Sequence, residues 1–193
     1  MKFIKYLIFF LILQGCSSNY EWGWYILSPN NIEGLTNLKF LISGITTTIY
    51  ISVISIILAM IIGLIVALPS LSNNKFLTYF NIGYVEIVRA IPLLVLILWI
   101  YYGLPIMMGV SFSPFVSGII ALTISESAFQ AEIFRAGINS INKGQHEVAG
   151  SLGMNFWKKM RFVILPQAIK VVLPALGNQF VYVLKMSSLV SII

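Results

Sequence analysis

Apolar positions run through this chain in long blocks, and polar positions fall in short gaps between them. The first block, Tyr6–Leu13, follows Lys2 and Lys5 and ends in Gly15, Cys16, Ser17 and Ser18. A helical span needs about 20 apolar residues. This one is shorter, and its basic start and small-residue exit read as a signal-peptide-like segment over residues 1–16, or else as an N-terminal apolar anchor. Residues 17–40 form a lead-in, amphipathic from Tyr20 to Lys39, with Trp22, Trp24 and Tyr25, whose rings suit a membrane–water interface. The pattern then predicts spans over about 41–68, closed by Pro69, and about 84–108, with Pro92 inside and Glu86 and Arg89 near its start. Further spans are expected over about 115–134 and 168–184, and a fifth begins at Ser188 and stops at Ile193. Ser70–Lys75 and Gly109–Pro114 read as turns. The expected fold is an all-α polytopic membrane protein with about five transmembrane helices, the last truncated.

Composition supports that reading. Of the 193 residues, 59% are hydrophobic and 9% charged, against about 25% charged in soluble domains. The excess of 12 Lys and Arg over 6 Glu gives a net charge of +6. The basic residues lie beside apolar blocks, where membrane topology accounts for them, so no nucleic-acid partner is expected. Arg135, Lys143, Lys158, Lys159, Arg161 and Lys170, half of all the basic residues, fall in one polar stretch. With residues 17–40 outside, alternation of the spans puts this stretch on the cytoplasmic side, the side that basic loops favour.

The residue inventory excludes several chemistries. The chain has no Asp, one His and one Cys. An aspartyl dyad and a two-histidine zinc site are therefore excluded, and no metal site is expected. No Gly-x-x-x-x-Gly-Lys-Ser/Thr segment is present, so ATP is not expected to bind here. An intramembrane enzyme would have to rely on Lys185 with Ser187 and Ser188, and nothing around them resembles a hydrolase.

The basic loop, about 139–166, carries a pattern of its own. A helix starting near Glu147 would place its carboxylate where the helix dipole favours it. Ala149, Gly150 and Gly153 would give that helix a small-residue face, and Gly153 would break it. Phe156–Ile164 can form a second helix, which Pro166 ends or bends into the next span. The product is a helix–turn–helix elbow, a docking element for a soluble partner.

This loop resembles the EAA loop of bacterial ABC-importer permeases, in which Glu-Ala-Ala, three residues, Gly, nine residues, an aliphatic residue, any residue and Leu-Pro follow in order. Here Glu147-Val148-Ala149, Gly153 and Val163-Ile164-Leu165-Pro166 meet that spacing, with Val148 in place of the second Ala. The segments Arg89–Leu94, Tyr101–Pro105, Ala131–Gly137 and Leu173–Phe180 resemble the polar amino-acid branch of the same family. The resemblance covers roughly 20–193 and implies a MetI-like permease fold, with a permease domain over 41–193. It implies coupling through Glu147, Ala149, Gly153, Leu165 and Pro166 to a cytoplasmic ABC ATPase dimer, which holds the ATP and Mg. It further implies a second permease copy or paralogue and a periplasmic or lipid-anchored amino-acid-binding protein, all at the bacterial inner membrane. No catalytic residue and no cofactor of its own is implied. Family members have a complete last span, so an end at Ile193 implies a fragment or a truncated, non-transporting paralogue. A permease for methionine, a metal or an osmolyte is the alternative within the class.

Three further residues are candidates. Glu126, between Ser125 and Ser127 at mid-span, either contacts the ammonium of a substrate or makes an interhelical hydrogen bond. Arg89 either attracts a substrate carboxylate or anchors the end of its span, against Glu86 or lipid headgroups. Cys16, after Leu13-Gln14-Gly15, resembles a lipoprotein acylation site.

Overall fold

A computed structural model describes residues 23–71 and 75–193. Cys16 and the segment 1–16 lie outside the described residues. Every regular element among the described residues is a helix. We label the helices α1 (Ile32–Ala67), α2 (Lys75–Ala90), α3 (Leu93–Met108), α4 (Pro114–Asn139), α5 (Lys143–Ser151) and α6 (Phe156–Ile192). The chain divides into two compact units, Met1–Ile45 and Thr46–Ile193. In the first, a 3-10 turn at Gly23–Leu27 precedes α1, and Asn37 Nδ2 donates to the Ile26 carbonyl at 3.0 Å. The expected lead-in is thus partly helix already, because α1 begins at Ile32 rather than near residue 41.

Among the described residues two helices are long and apolar enough to cross a membrane, α1 and α6, and α2 with α3 make a third only if the bent pair counts as one span. The stretch expected as one span over 84–108 is broken into two helices. α2 and α3 meet at 91° around Ile91-Pro92. Pro92 has no N–H to continue the ladder and its ring disfavours helical geometry at Ile91, so the chain turns there instead of running straight. α4 is long enough to span but less apolar than α1 or α6. It runs through the centre of the bundle, with Ala121, Leu122, Ser125, Glu126, Ala128 and Gln130 all buried, so its side chains meet protein rather than lipid. The fifth span expected from Ser188 is also not a separate element, since Ser187–Ile192 continues α6 as a 3-10 end.

Small residues let these helices approach closely. Along α1, Ser55, Ala59, Gly63 and Ala67 recur at four-residue spacing and are all buried. A Cβ at Gly63 would lie 2.9 Å from both the Ser127 carbonyl and Gln130 Cβ of α4, so only glycine fits. Close backbone approach is how helices associate in lipid, where apolar burial alone gives no preference for protein over solvent. At one end of α4, Ile51, Leu96, Ile97, Ile100, Ala121, Leu122 and Val190 join α1, α3, α4 and α6 in one cluster. At the other end, Ile138, Ile141, Ile164 and Ala168 clamp the loop between α4 and α6.

Candidate functional site: the elbow and the polar seam

The loop folds as an elbow, with corrections in detail. α5 starts at Lys143, not near Glu147, and its cap is Asn142, whose Oδ1 accepts from the Gly144 N–H at 2.8 Å. Glu147 therefore sits in the middle of the helix, exposed, where a dipole role at the N-terminus does not apply. The helix closes at Gly153, with φ of 69°, while Met154 N–H donates to the Ala149 carbonyl and Gly153 N–H to the Gly150 carbonyl. This pair of bonds around a left-handed residue is the Schellman motif, which satisfies the last carbonyls of the helix. Asn155 then caps the start of α6 by accepting from Lys158 N–H at 2.9 Å.

Ala149 is 2% exposed and faces the chain's own interior, so the expected small-residue docking face loses one member. What the elbow presents outward is apolar and basic: Val148, Leu152, Phe156, Trp157 and Phe162 are exposed, with Lys158 and Arg161 among them. Trp157 is 78% exposed and packs edge-on against Phe156, with ring centroids 5.7 Å apart. Leu165 is half-buried and Pro166 exposed. Pro166 neither ends nor sharply bends the helix, because a π-turn at Met160–Ile164 widens the ladder just ahead of it. A wider turn accommodates a ring that carries no N–H for the carbonyl one turn back.

The second region is a polar seam inside the bundle. Glu126 is fully buried on α4, and its Oε2 accepts from Gln179 Nε2 of α6 at 2.5 Å. Of the two roles expected for Glu126, the interhelical bond is thus present. Among the described residues its Oε1 has no partner, and neither end of the Gln130 side-chain amide, one turn further along and equally buried, has one. Beside them Tyr84 and Ser127 share a hydrogen bond of 2.6 Å, and Thr123 Oγ1 donates to the Ser55 carbonyl. Gln130 and the Tyr84 contact were missed by sequence reasoning. The available signal was a polar residue in an apolar block, which Gln130 and Gln179 both supply.

Arg89 lies elsewhere, lining a cleft together with Asn81, Ile82, Val85, Glu86, Glu132 and Arg135. Its guanidinium stands 4.9 Å from the centre of the Phe129 ring, a cation–π contact. Among the described residues the ion pair in this cleft is Arg135 with Glu132, at 2.7 Å, so Arg89 does not pair with Glu86. Arg89 and Glu126 are thus held in different settings, one at an open cleft and one in a closed core.

A bundle of apolar helices around a central helix that buries several polar side chains, with one folded basic elbow between two of them, defines a helical membrane protein. The family described as binding-protein-dependent transport system inner membrane component matches residues 59–193, and the chain belongs to that family. It is 41% identical over 157 residues to a probable glutamine ABC transporter permease protein of Bacillus subtilis (strain 168), covering 81% of this chain and 72% of that one. It is 36% identical over 162 residues to a putative glutamine transport system permease protein of Rickettsia felis, covering 84% and 74%. A crystal structure of an amino acid ABC transporter with histidines superposes with a TM-score of 0.75 at 42% identity, over 82% of this chain and 75% of that one. The all-α permease fold expected from the sequence is the fold of that relative.

Proposed function

We propose that this chain is the membrane-spanning permease subunit of an ATP-driven ABC importer for polar amino acids. The observation that carries the reading is the elbow. An ordered loop clamped at its base by Ile138, Ile141, Ile164 and Ala168, and apolar on its outer side, suits docking into a soluble subunit. Its partners are a cytoplasmic ABC ATPase dimer, a second permease copy or paralogue, and a periplasmic or lipid-anchored binding protein. ATP and Mg sit on the ATPase, and this chain performs no catalysis of its own. The elbow faces the cytoplasm and the bundle lies in the bacterial inner membrane, an orientation that follows from the charge asymmetry. Glu147, Gly153, Leu165 and Pro166 belong to the coupling elbow, with Ala149 supporting it from inside. Glu126 and Arg89 are the candidates for contact with substrate, and Cys16 is the candidate for acylation. The relatives' glutamine and amino-acid names support the substrate class.

The test is uptake in vesicles containing the assembled transporter. Labelled glutamine and other polar amino acids should accumulate only with ATP inside and binding protein outside. Gly153→Asp should insert normally yet lose uptake, because it adds volume and charge at the contact and strains a positive-φ position. Undiminished uptake by that variant would remove the elbow from the coupling path.

A further inference from the structure

We infer that α2 lies flat in the membrane interface on the elbow side of the bundle, with one face inserted among lipid acyl chains. Three sides of α2 differ in chemistry. Asn81, Val85 and Val88 form the buried side, and Asn81 Nδ2 donates to the Val66 carbonyl of α1. Phe76, Tyr79, Phe80 and Ile87 form a second, apolar side, and each is at least 66% exposed. Glu86 and Arg89 form the third, at the cleft with Glu132 and Arg135. The exposed aromatic side is what acyl chains take up, and the charged side is what headgroups and water take up.

Geometry selects the orientation. α2 and α3 meet at 91°, so when one follows the membrane normal the other lies in the plane. α3 carries no charged residue, whereas α2 carries Glu86 and Arg89, so α3 is the one that enters the bilayer. α3 packs on the end of α4 distant from the elbow, through Leu96, Ile97 and Ile100 against Ala121 and Leu122. α2 packs on the elbow-side half, through Val85 against Ala131, Tyr84 against Ser127 and Arg89 over Phe129. The 16 residues of α3 rise about 24 Å at 1.5 Å each. The hydrocarbon core is about 30 Å thick. The chain therefore turns at Pro92 some 6 Å short of the far interface, within the depth of about 5–10 Å at which interfacial helices bury their apolar face. α1 exposes Ile54, Ile57, Leu58, Ile61 and Ile65 in the same apolar manner. The occupant is lipid, whatever solute the transporter carries.

The test uses spin labels placed singly at Phe76, Phe80, Glu86 and Ile87, with Cys16 replaced by Ser, in the full transporter reconstituted in phospholipid vesicles. Collision rates with oxygen and with a nickel chelate report depth. Labels at Phe76, Phe80 and Ile87 should favour oxygen and share one depth, about 5–10 Å below the phosphates. The label at Glu86 should favour the chelate. A steady change of depth from Phe76 to Ile87 would mean that α2 spans, and would overturn the inference. Exclusion of both reagents at Phe80 and Ile87 would mean that protein covers the face, and would overturn it too. Neither outcome depends on whether the amino-acid reading is right.

Discussion

The elbow and the polar seam invert each other's chemistry. In the elbow, large apolar side chains such as Leu152 and Trp157 point outward, and backbone polar groups are closed off locally by Asn142, Asn155 and the Gly153 turn. In the seam, Glu126 and Gln130 point inward, Glu126 satisfied at one oxygen and Gln130 without a partner among the described residues, while the surrounding helices turn apolar side chains outward. The two regions therefore depend on different things. The elbow closes its backbone through bonds between residues close in sequence, is clamped only at its base by Ile138, Ile141, Ile164 and Ala168, and keeps its apolar surface exposed. The seam draws together residues far apart in sequence and leaves polar valences open inside. An outward apolar surface suits a protein partner, and an inward polar one suits a solute or a change in helix packing.

The strongest test of this contrast is at the closest helix contact of the seam. Gly63→Leu places a side chain where Ser127 and Gln130 already stand 2.9 Å from a bare Cβ. Overpacking of this kind costs about 3 kcal/mol, which thermal unfolding in detergent would register as a clear drop, with the elbow sequence untouched. A stability equal to the parent's would mean that α1 and α4 are not held at this distance.

Next in size is the buried pair. Replacing Glu126 by Gln keeps the shape and removes the charge, and a hydrogen bond to a charged group contributes about 1.5–3 kcal/mol. The substituted amide can still accept from Gln179, so a double-mutant cycle with Gln179→Leu should read the charge-assisted part of the bond, roughly half of it, in unfolding measurements. If Glu126 also touches substrate, uptake affinity falls by roughly one to two decades. Coupling without any change in uptake affinity leaves Glu126 a purely interhelical group.

The elbow responds less, because its contacts are local. Gly153→Ala should cost about 1–2 kcal/mol for holding an L-residue at positive φ, and Gly153→Asn should cost less because Asn enters that region more readily. Equal stability of both variants with the parent would mean that the turn is not left-handed. The smallest expected effect is at the edge of the seam. Tyr84→Phe removes one hydrogen bond to Ser127, and such bonds in membrane helices average about 0.6 kcal/mol.

The same contrast explains what could be read in advance. The elbow was legible because its signals are local: Gly153 turns the chain, and the basic residues mark a loop. The error there was one of phase, since Asn142 starts α5 five residues before Glu147 and so turns Ala149 inward. In the bundle, Glu126 stood out as a charge in an apolar block, yet its partner Gln179 lies 53 residues away. Which polar residues of two helices meet depends on their rotation about their own axes, and periodicity within either helix does not contain that. Pro92 was visible too, but a proline in an apolar block is compatible with a kink or with a right-angle turn. The choice was made by how α2 and α3 pack on different halves of α4.

The π-turn at Met160–Ile164 sets the timing of everything that follows it. A single residue more or less advances an α-helix by 100° and 1.5 Å. Ala168, Val172 and Val183 are buried on the inner side of α6, and Gln179 reaches Glu126 from the same helix, only because the wide turn delivers them at that phase. Removing one residue from the turn would leave the sequence of α6 beyond it unchanged, yet it would swing the whole contact face round the axis like a key cut on the wrong edge. The bulge thus acts as an index mark between the elbow end of the helix and its buried end, tying the angular position of one to that of the other.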